Sequence, residues 1–106
     1  MIGINRIKEF SDAIAREFRP ERIVLFGSYA YGKPRTDSDI DVLVIMSFKG
    51  KSVHKALEII NKIQPKFSVD LLVRSPDEVK WRIANNDCFM SEIVEQGRTL
   101  YESNNT

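Results

Sequence analysis

The sequence predicts a small α/β domain of the α+β type, in which helices pack against a mixed β-sheet. Short runs rich in β-branched residues recur along the chain, as in RIVLF (22–26) and DVLVIM (41–46), and are typical of strands. Between such runs, apolar residues recur three or four positions apart, which is typical of amphipathic helices. The connections between successive strands differ in length, which predicts both antiparallel and parallel pairing within one sheet.

Length and composition set limits on the architecture and on the partners. A chain of 106 residues accommodates one domain, which we assign to residues 1–102, followed by a disordered tail over 103–106. A net charge of +1 without a run of Lys and Arg argues against extended binding along a nucleic-acid backbone. No segment has the apolar length of a membrane span or a signal peptide, so we expect a cytoplasmic protein that does not bind membranes.

Cysteine and histidine are too scarce to build the common metal sites. The single Cys88 excludes an internal disulfide bond. His54 is the only histidine, so the chain lacks the ligands of a thiolate and imidazole zinc site. Any metal ion in this protein must therefore be bound by carboxylates.

Two amphipathic helices are predicted before the third strand. The first lies within residues 2–18 and ends before Pro20, and the second lies within residues 52–64. Their predicted apolar stripes are Ile4, Ile7, Phe10, Ile14 and Phe18 in the first, and Val53, Ala56, Leu57, Ile60 and Ile63 in the second.

The last third of the chain predicts a third strand, two short helices and an edge strand. SVDLLV (68–73) is the third strand, and SPDE (75–78) has the cap, proline and glutamate of a helix start. That helix runs through Trp81, which we expect to pack rather than to bind a base. A second helix ends at Gly97, and RTLYE (98–102) follows as a short strand.

The connections bring acidic residues to one edge of the sheet. About a dozen residues join the first two strands, too few for a comfortable parallel crossover, so these strands should be antiparallel. This pairing places Gly27 and Ser28 beside Asp39 and Asp41. A full helix joins the second and third strands and predicts a right-handed parallel connection, which brings Asp70 to the same edge.

The acidic residues at this edge favour metal binding. Residues two apart on a strand face the same side, so Asp39 and Asp41 can serve one site while Ile40 points into the core. Asp70 interrupts an apolar strand, where an unpaired buried carboxylate costs on the order of a few kcal/mol. The alternative is that Asp70 begins the strand and points to solvent. Clustered carboxylates repel one another unless cations lie between them, and two divalent ions about 3.5–4 Å apart would suit phosphoryl-type chemistry.

GSYAYGKP (27–34) is close to a nucleotide-binding P-loop but departs from it at a decisive position. Pro34 stands where that motif needs Ser or Thr, and it disfavours helical geometry at Lys33. The stretch retains Gly27, which allows close approach of an anion, and Ser28, which opens a short helical turn. We therefore interpret it as a phosphate-binding turn of another kind.

These residues together resemble a known superfamily. The pattern of Gly27-Ser28, ten residues, Asp39-x-Asp41 and a later Asp70 in an apolar strand is similar to that of DNA polymerase β-like nucleotidyltransferases. The similarity extends over nearly the whole chain and is greatest to the minimal nucleotidyltransferase (MNT) group, often the antitoxin half of HEPN/MNT toxin–antitoxin pairs. It implies the nucleotidyltransferase fold and Mg²⁺-dependent transfer of a nucleoside monophosphate from an NTP to a hydroxyl, with release of pyrophosphate.

The resemblance also implies roles for single residues. Asp39 and Asp41 would bind two Mg²⁺ ions, while Asp70 would bind the catalytic ion and accept the proton of the acceptor hydroxyl. Gly27 and Ser28 would hold the β- and γ-phosphates.

Other polar and aromatic residues receive less specific assignments. Lys33 and Arg35 could steer the triphosphate, although a solvated loop explains them equally well. We expect Arg74 at the surface, and Tyr29 and Tyr31 packed under the turn rather than in contact with the base or acceptor.

Three functions are compatible with this assignment. The first is an antitoxin that transfers AMP from ATP, or a nucleotide from another NTP, to its HEPN-type toxin, and a homo- or hetero-oligomer is compatible with it. The short chain favours this function because it has little room for an acceptor-binding lobe. The second is a module that neutralises its partner by binding alone. The third, a nucleotidyltransferase of small molecules, is disfavoured because similar proteins usually carry a further helical domain.

Overall fold

The computed structural model of the protein describes residues 1–104, and these form four helices and one four-stranded sheet. The helices are α1 (Ile4–Phe18), α2 (Ser52–Ile63), α3 (Pro76–Ala84) and α4 (Cys88–Gln96). The strands are β1 (Arg22–Phe26), β2 (Ile40–Ile45), β3 (Val69–Arg74) and β4 (Arg98–Glu102). A single 3-10 turn, Gly27–Tyr29, directly follows β1. Each predicted helix and strand is therefore present, including the short helical turn before β2.

The sheet has the strand order β3-β2-β1-β4. β1 is antiparallel to both β2 and β4, whereas β2 and β3 are parallel and joined by α2. The antiparallel and parallel pairings predicted from the connection lengths are thus confirmed, as is the mixed α/β class. Because β2 is central, its residues are covered on both faces, and Ile40 is fully buried as predicted.

Side-chain alternation along the strands divides the core between the two faces of the sheet. Ile23 and Leu25 of β1 pack in one cluster with residues of α1 and α2. Val24 and Phe26 pack in the other cluster, together with residues of α3 and α4. The domain therefore has three layers, and the face covered by α3 and α4 is the one that carries the candidate site.

The apolar stripe predicted for α2 is wrong in part. Val53 and Leu57 are 59% and 55% exposed, whereas Ile59 is fully buried. Ala56, Ile60 and Ile63 do pack against the core, so the buried face is rotated toward Ile59. In α1 the difference is smaller, because only the first residue of its stripe, Ile4, is exposed.

The caps of α3 and α4 follow the sequence signals. The Ser75 hydroxyl accepts a hydrogen bond from the Glu78 N–H at 3.1 Å, as the SPDE pattern predicts. The Asp87 carboxylate caps α4 by accepting from the Met90 N–H at 2.9 Å. Trp81 is 64% exposed, so the prediction that it packs is wrong. It lies on the side of α3 opposite the buried Val79, two residues away in the helix.

The chain after β4 was predicted to be a disordered tail over 103–106. The Ser103 N–H donates to the Glu21 carbonyl at 2.9 Å, which continues the backbone contacts of the sheet by one residue. Residues 105 and 106 lie outside the described part of the chain. Within residues 1–104, none of the helices is long and apolar enough to cross a membrane.

Candidate active site

Two aspartates meet where the ends of β1, β2 and β3 come together. In the antiparallel pair, Phe26 at the end of β1 lies opposite Asp41. In the parallel pair, Asp41 lies opposite Asp70. The 3-10 turn starts at Gly27, directly after Phe26, so the turn and both carboxylate residues share one edge of the sheet.

The two carboxylates also share one face of the sheet. Leu43 and Ile45, which follow Asp41 at intervals of two residues, pack in the cluster formed with α3 and α4. Leu72, two residues after Asp70, packs against the same cluster. Since alternate residues of a strand face the same side, Asp41 and Asp70 emerge beside the helical layer at the end that the helices leave uncovered.

Asp39 is held by a neighbour that the sequence analysis did not identify. Asp39 precedes β2, and its Oδ1 accepts a hydrogen bond from the Ser68 hydroxyl at 2.5 Å. The backbone supports this contact, because the Ile40 N–H donates to the Ser68 carbonyl at 3.0 Å. The parallel register contained the signal, since pairing of Ile40 with Val69 puts Asp39 level with Ser68.

The carboxylates are electrostatically uncompensated. Partial burial raises the pKa of Asp41 above its ordinary value, and the negative charges of Asp70 and then Asp39 raise it further. Within residues 1–104, none of these three aspartates forms an ion pair. The site therefore concentrates negative charge that a bound cation would neutralise.

Asp70 itself is exposed, contrary to the argument that burial would force it to find a partner. That argument assumed a strand covered on both sides, whereas β3 is an edge strand of the sheet. The exposure of Asp70 is compatible both with an open site and with the alternative that it points to solvent. Its position opposite Asp41 nevertheless agrees with the predicted strand pairing.

The donor set fits a hard divalent cation, although a complete metal cage is not preformed. Among residues 1–104, no three side chains of His, Cys, Asp or Glu stand together as a ready-made metal site. Asp41 and Asp70 provide carboxylate oxygens, the ligands preferred by Mg²⁺, and their mutual repulsion favours a cation between them.

Gly27 is required by its backbone conformation and by the position of Asp41. Its φ of +72° lies in the left-handed region that favours glycine. A Cβ atom at this position would lie 3.0 Å from Cγ of Asp41 and closer still to one carboxylate oxygen. The Gly27 carbonyl accepts from the N–H groups of Ala30 and Tyr31 at 3.0 and 3.1 Å, which closes the turn. The turn thus brings bare backbone against the Asp41 carboxylate.

The other predicted nucleotide-binding residues lie on or beside this turn. Ser28 is half-buried in it, and its carbonyl accepts from the Lys33 N–H at 3.0 Å. The Arg35 N–H donates to the Ser38 hydroxyl at 2.8 Å, which orders the loop before Asp39. The side chains of Lys33 and Arg35 are exposed and make no ion pair within the described residues. Their placement is compatible with either predicted role.

The two tyrosines of the turn behave differently. Tyr29 packs against the core, as expected, and its hydroxyl accepts from the Ile2 N–H at 3.2 Å. Tyr31 is 39% exposed, so the expectation that it packs under the turn is wrong. Partial burial and the charge of Glu92 raise the pKa of Tyr31, and a hydrogen bond with the Gly27 backbone acts in the opposite direction. Tyr31 and Glu92 therefore lie at the rim of the site.

Arg74 is remote from the aspartates. It ends β3 opposite Ile45, at the other end of the strands, and its Nε lies 3.5 Å from a carboxylate oxygen of Glu78. The structure thus separates Arg74 from the residues around Gly27.

Comparison with known proteins identifies relatives over nearly the full chain. The family described as "Polymerase beta, Nucleotidyltransferase" matches residues 8–106. Two proteins of Methanocaldococcus jannaschii, each named "Putative protein adenylyltransferase", are 32% and 35% identical to this chain over 97 and 98 residues. These alignments cover 90% and 89% of this chain and 94% of each relative.

Solved structures share the same fold. A "putative nucleotidyltransferase" from Sulfolobus solfataricus aligns with a TM-score of 0.59 at 26% identity, over 74% of this chain and 71% of that one. A toxin-antitoxin structure with AMP-PNP aligns with a TM-score of 0.60 at 22% identity, over 92% of this chain and 74% of that one. The second similarity establishes the arrangement of strands and helices.

Proposed function

Since the chain belongs to the polymerase β nucleotidyltransferase family, we propose that it transfers AMP from ATP to a hydroxyl group of a protein, in a reaction that depends on Mg²⁺. The observation that carries this proposal is the pairing of Asp41 with Asp70 beside the turn at Gly27. The relatives from M. jannaschii support the choice of a protein acceptor through their name. Another NTP in place of ATP is compatible with the same geometry.

In the proposed site, Asp41 and Asp70 hold the cation, and Asp39 joins them through its second carboxylate oxygen while the Ser68 hydroxyl holds Oδ1. Bound Mg²⁺ would neutralise the charge of the phosphates and activate the attacking oxygen. Two such ions would hold the attacking and the leaving oxygens. The cation also offsets the repulsion that raises the pKa of Asp41.

The protein residues then have distinct tasks. The backbone of Gly27 and Ser28 approaches the β- and γ-phosphates, because Gly27 has no side chain to keep an anion away. Asp70 is exposed at the edge of the sheet, where a carboxylate oxygen can accept the proton of an incoming hydroxyl. The acceptor oxygen attacks the α-phosphorus, the bond to the β-phosphate bridging oxygen breaks, and pyrophosphate leaves.

We further propose that the acceptor is a HEPN-type toxin and that the chain acts as its antitoxin in the cytoplasm. The shared fold with toxin-antitoxin structures supports this choice. The proposal includes a hetero-oligomer of the two proteins, since the acceptor must dock for transfer.

The experiment measures covalent labelling of the partner. The purified chain is incubated with Mg²⁺, ATP labelled at the α-phosphate and a HEPN-type protein encoded beside it. We expect label on the partner, and we expect EDTA to abolish the transfer. The double variant Asp39→Asn, Asp41→Asn should lose at least about 100-fold in rate, because metal-mediated charge stabilisation contributes several kcal/mol.

A matched control lies in the same loop. Asp37 is an exposed aspartate two residues before Asp39, and Asp37→Asn should leave the rate unchanged. Circular dichroism should show that the double variant remains folded. Tight binding of the partner without any label would contradict the proposed chemistry and favour a non-catalytic antitoxin. Label on a small molecule instead of the protein would contradict the acceptor class.

A further inference from the structure

Phe89 is an aromatic residue whose side chain is only partly packed against the core. It lies in the first turn of α4 and is 54% exposed. One side of its ring meets Phe26 edge to face, with the centroids 5.8 Å apart and the planes at 86°. The rest of the ring faces solvent, which is an unfavourable environment for so large an apolar surface.

The path of α4 puts Phe89 close to the carboxylates. At the far end of the helix, Gly97 lies against β1, since a Cβ there would come within 2.6 Å of Cγ1 of Val24. At its start, Phe89 contacts Phe26, the last residue of β1. Phe26 is the register partner of Asp41, so Phe89 contacts a residue that lies level with the site. Both Phe26 and Asp41 emerge on the face of the sheet that α4 covers.

The helix holds Phe89 firmly in this position. Its neighbour Met90 is 2% exposed, and Ile93, one turn later, is 1% exposed. The Met90 N–H is capped by Asp87, whose carboxylate also lies 3.1 Å from Nη1 of Arg82. An anchored aromatic ring with one open side provides a binding surface at low conformational cost.

We propose that the open side of Phe89 stacks against the adenine base of the bound nucleotide, while the phosphates lie at the turn of Gly27. This inference rests on the proposed function, because it requires a nucleotide at the aspartates. Aromatic stacking suits a base because each base presents a flat π surface. The edge-to-face contact with Phe26 occupies only part of the ring, and 54% of Phe89 remains exposed.

The test distinguishes binding of the base from binding of the phosphates. Binding of a non-hydrolysable ATP analogue and of inorganic tripolyphosphate is measured by calorimetry with Mg²⁺ present. Phe89→Ala should weaken the analogue about 10-fold, a typical loss for one stacked base, and should leave tripolyphosphate unchanged. Phe89→Trp should retain affinity for the analogue. Phe89→Leu keeps apolar packing against Phe26 but lacks the ring, so it should behave like Phe89→Ala.

Trp81 supplies the control. It is 64% exposed, on the helix before α4, and Trp81→Ala should change neither affinity. Unchanged binding of the analogue by Phe89→Ala and Phe89→Leu would overturn the inference alone, even if transfer to the partner fell. Equal weakening of the analogue and of tripolyphosphate would also overturn it. Failure of the unaltered protein to bind either ligand would instead overturn the proposed function, and the inference with it.

Discussion

The charges along α3 and the carboxylates at the start of β3 are arranged in opposite ways. Glu78 of α3 lies 3.5 Å from Arg74, the last residue of β3, and 2.8 Å from Arg82. Arg82 in turn lies 3.1 Å from Asp87, so these charges form a connected chain of ion pairs. At the end where β3 starts, Asp41 and Asp70 face each other, and within residues 1–104 neither has a cationic partner.

The ion pairs stabilise the fold, whereas the unpaired carboxylates are suited to binding a ligand. Ion pairs at the protein surface stabilise the fold by a small free energy. Here they also support the caps of α3 and α4. Adjacent unpaired carboxylates oppose folding, as the raised pKa of Asp41 indicates. A cation bound as proposed would offset this repulsion.

The largest effect that tests this difference is expected from Gly27→Ala. The new Cβ would displace the Asp41 carboxylate, and the φ of +72° adds strain of about 1–2 kcal/mol. We therefore expect a clear loss of thermal stability and a loss of nucleotide transfer of at least about 10-fold, which corresponds to 1.4 kcal/mol in the barrier. Thermal denaturation and the labelling reaction measure the two effects.

Gly32→Ala is the matched control for backbone strain. Its φ of +80° is similar, but a Cβ there would meet nothing within 4 Å. The stability loss should be about 1 kcal/mol, with transfer retained. If both variants kept the same activity, the close approach of Gly27 to Asp41 would have no functional role.

A smaller effect is expected from Ser68→Ala. This variant removes the hydroxyl that donates to Asp39, so the carboxylate loses its orientation at the proposed metal site. We expect the affinity for Mn²⁺, a probe for Mg²⁺, to fall about 10-fold, as is typical when a residue that supports a ligand is lost. Electron paramagnetic resonance measures free Mn²⁺ directly. Ser68→Thr should restore the affinity, whereas tighter binding by Ser68→Ala would mean that the hydroxyl competes with the metal.

The smallest effect on stability is expected from Asp87→Asn, which lies in the chain of ion pairs along α3. The Met90 N–H and then Arg82 lower the pKa of Asp87 below its ordinary value of 3.8. A lowered pKa in the folded state stabilises the protein above the unfolded pKa, and this stabilisation is lost as the pH falls through the folded value. Asparagine still caps the helix, so it removes mainly the charge.

Melting temperatures between pH 7 and pH 3 measure this contribution. At neutral pH the variant should melt slightly below the unaltered protein. The difference should shrink as the pH falls below about 4 and vanish only below the lowered pKa of folded Asp87. Nucleotide transfer at neutral pH should not change. A loss of transfer comparable to that of Gly27→Ala would show that the ion pairs along α3 and the carboxylate site are not independent.

The sequence predicted the fold because its signals are local and agree with one another. The twelve-residue helix α2 between β2 and β3, and the short link between β1 and β2, determined which strands are parallel. Once the pairing was known, the convergence of Asp41 and Asp70 followed from counting residues. The cap at Ser75 was equally readable, because capping depends on residues three positions apart.

The sequence did not predict features that depend on how helices rotate or on which strand lies at an edge. Helical spacing in α2 identified an apolar side, but Ile59, rather than Val53 or Leu57, lies at its centre. Whether Asp70 is buried was left open, because an apolar strand can be central or at an edge and the sequence of the strand does not distinguish these positions. The exposure of Trp81 likewise depends on the face that α3 turns to the sheet.

The edge position of β3 has a consequence for access to the site. No further strand pairs with the outer side of β3 among residues 1–104, and Asp70 lies exposed there. Under the proposed function, this leaves the side of the sheet open for a hydroxyl group on the surface of another folded protein to approach Asp70. Such an acceptor would not have to enter a deep pocket or unfold locally, so the shape of its surface would decide which hydroxyl is modified.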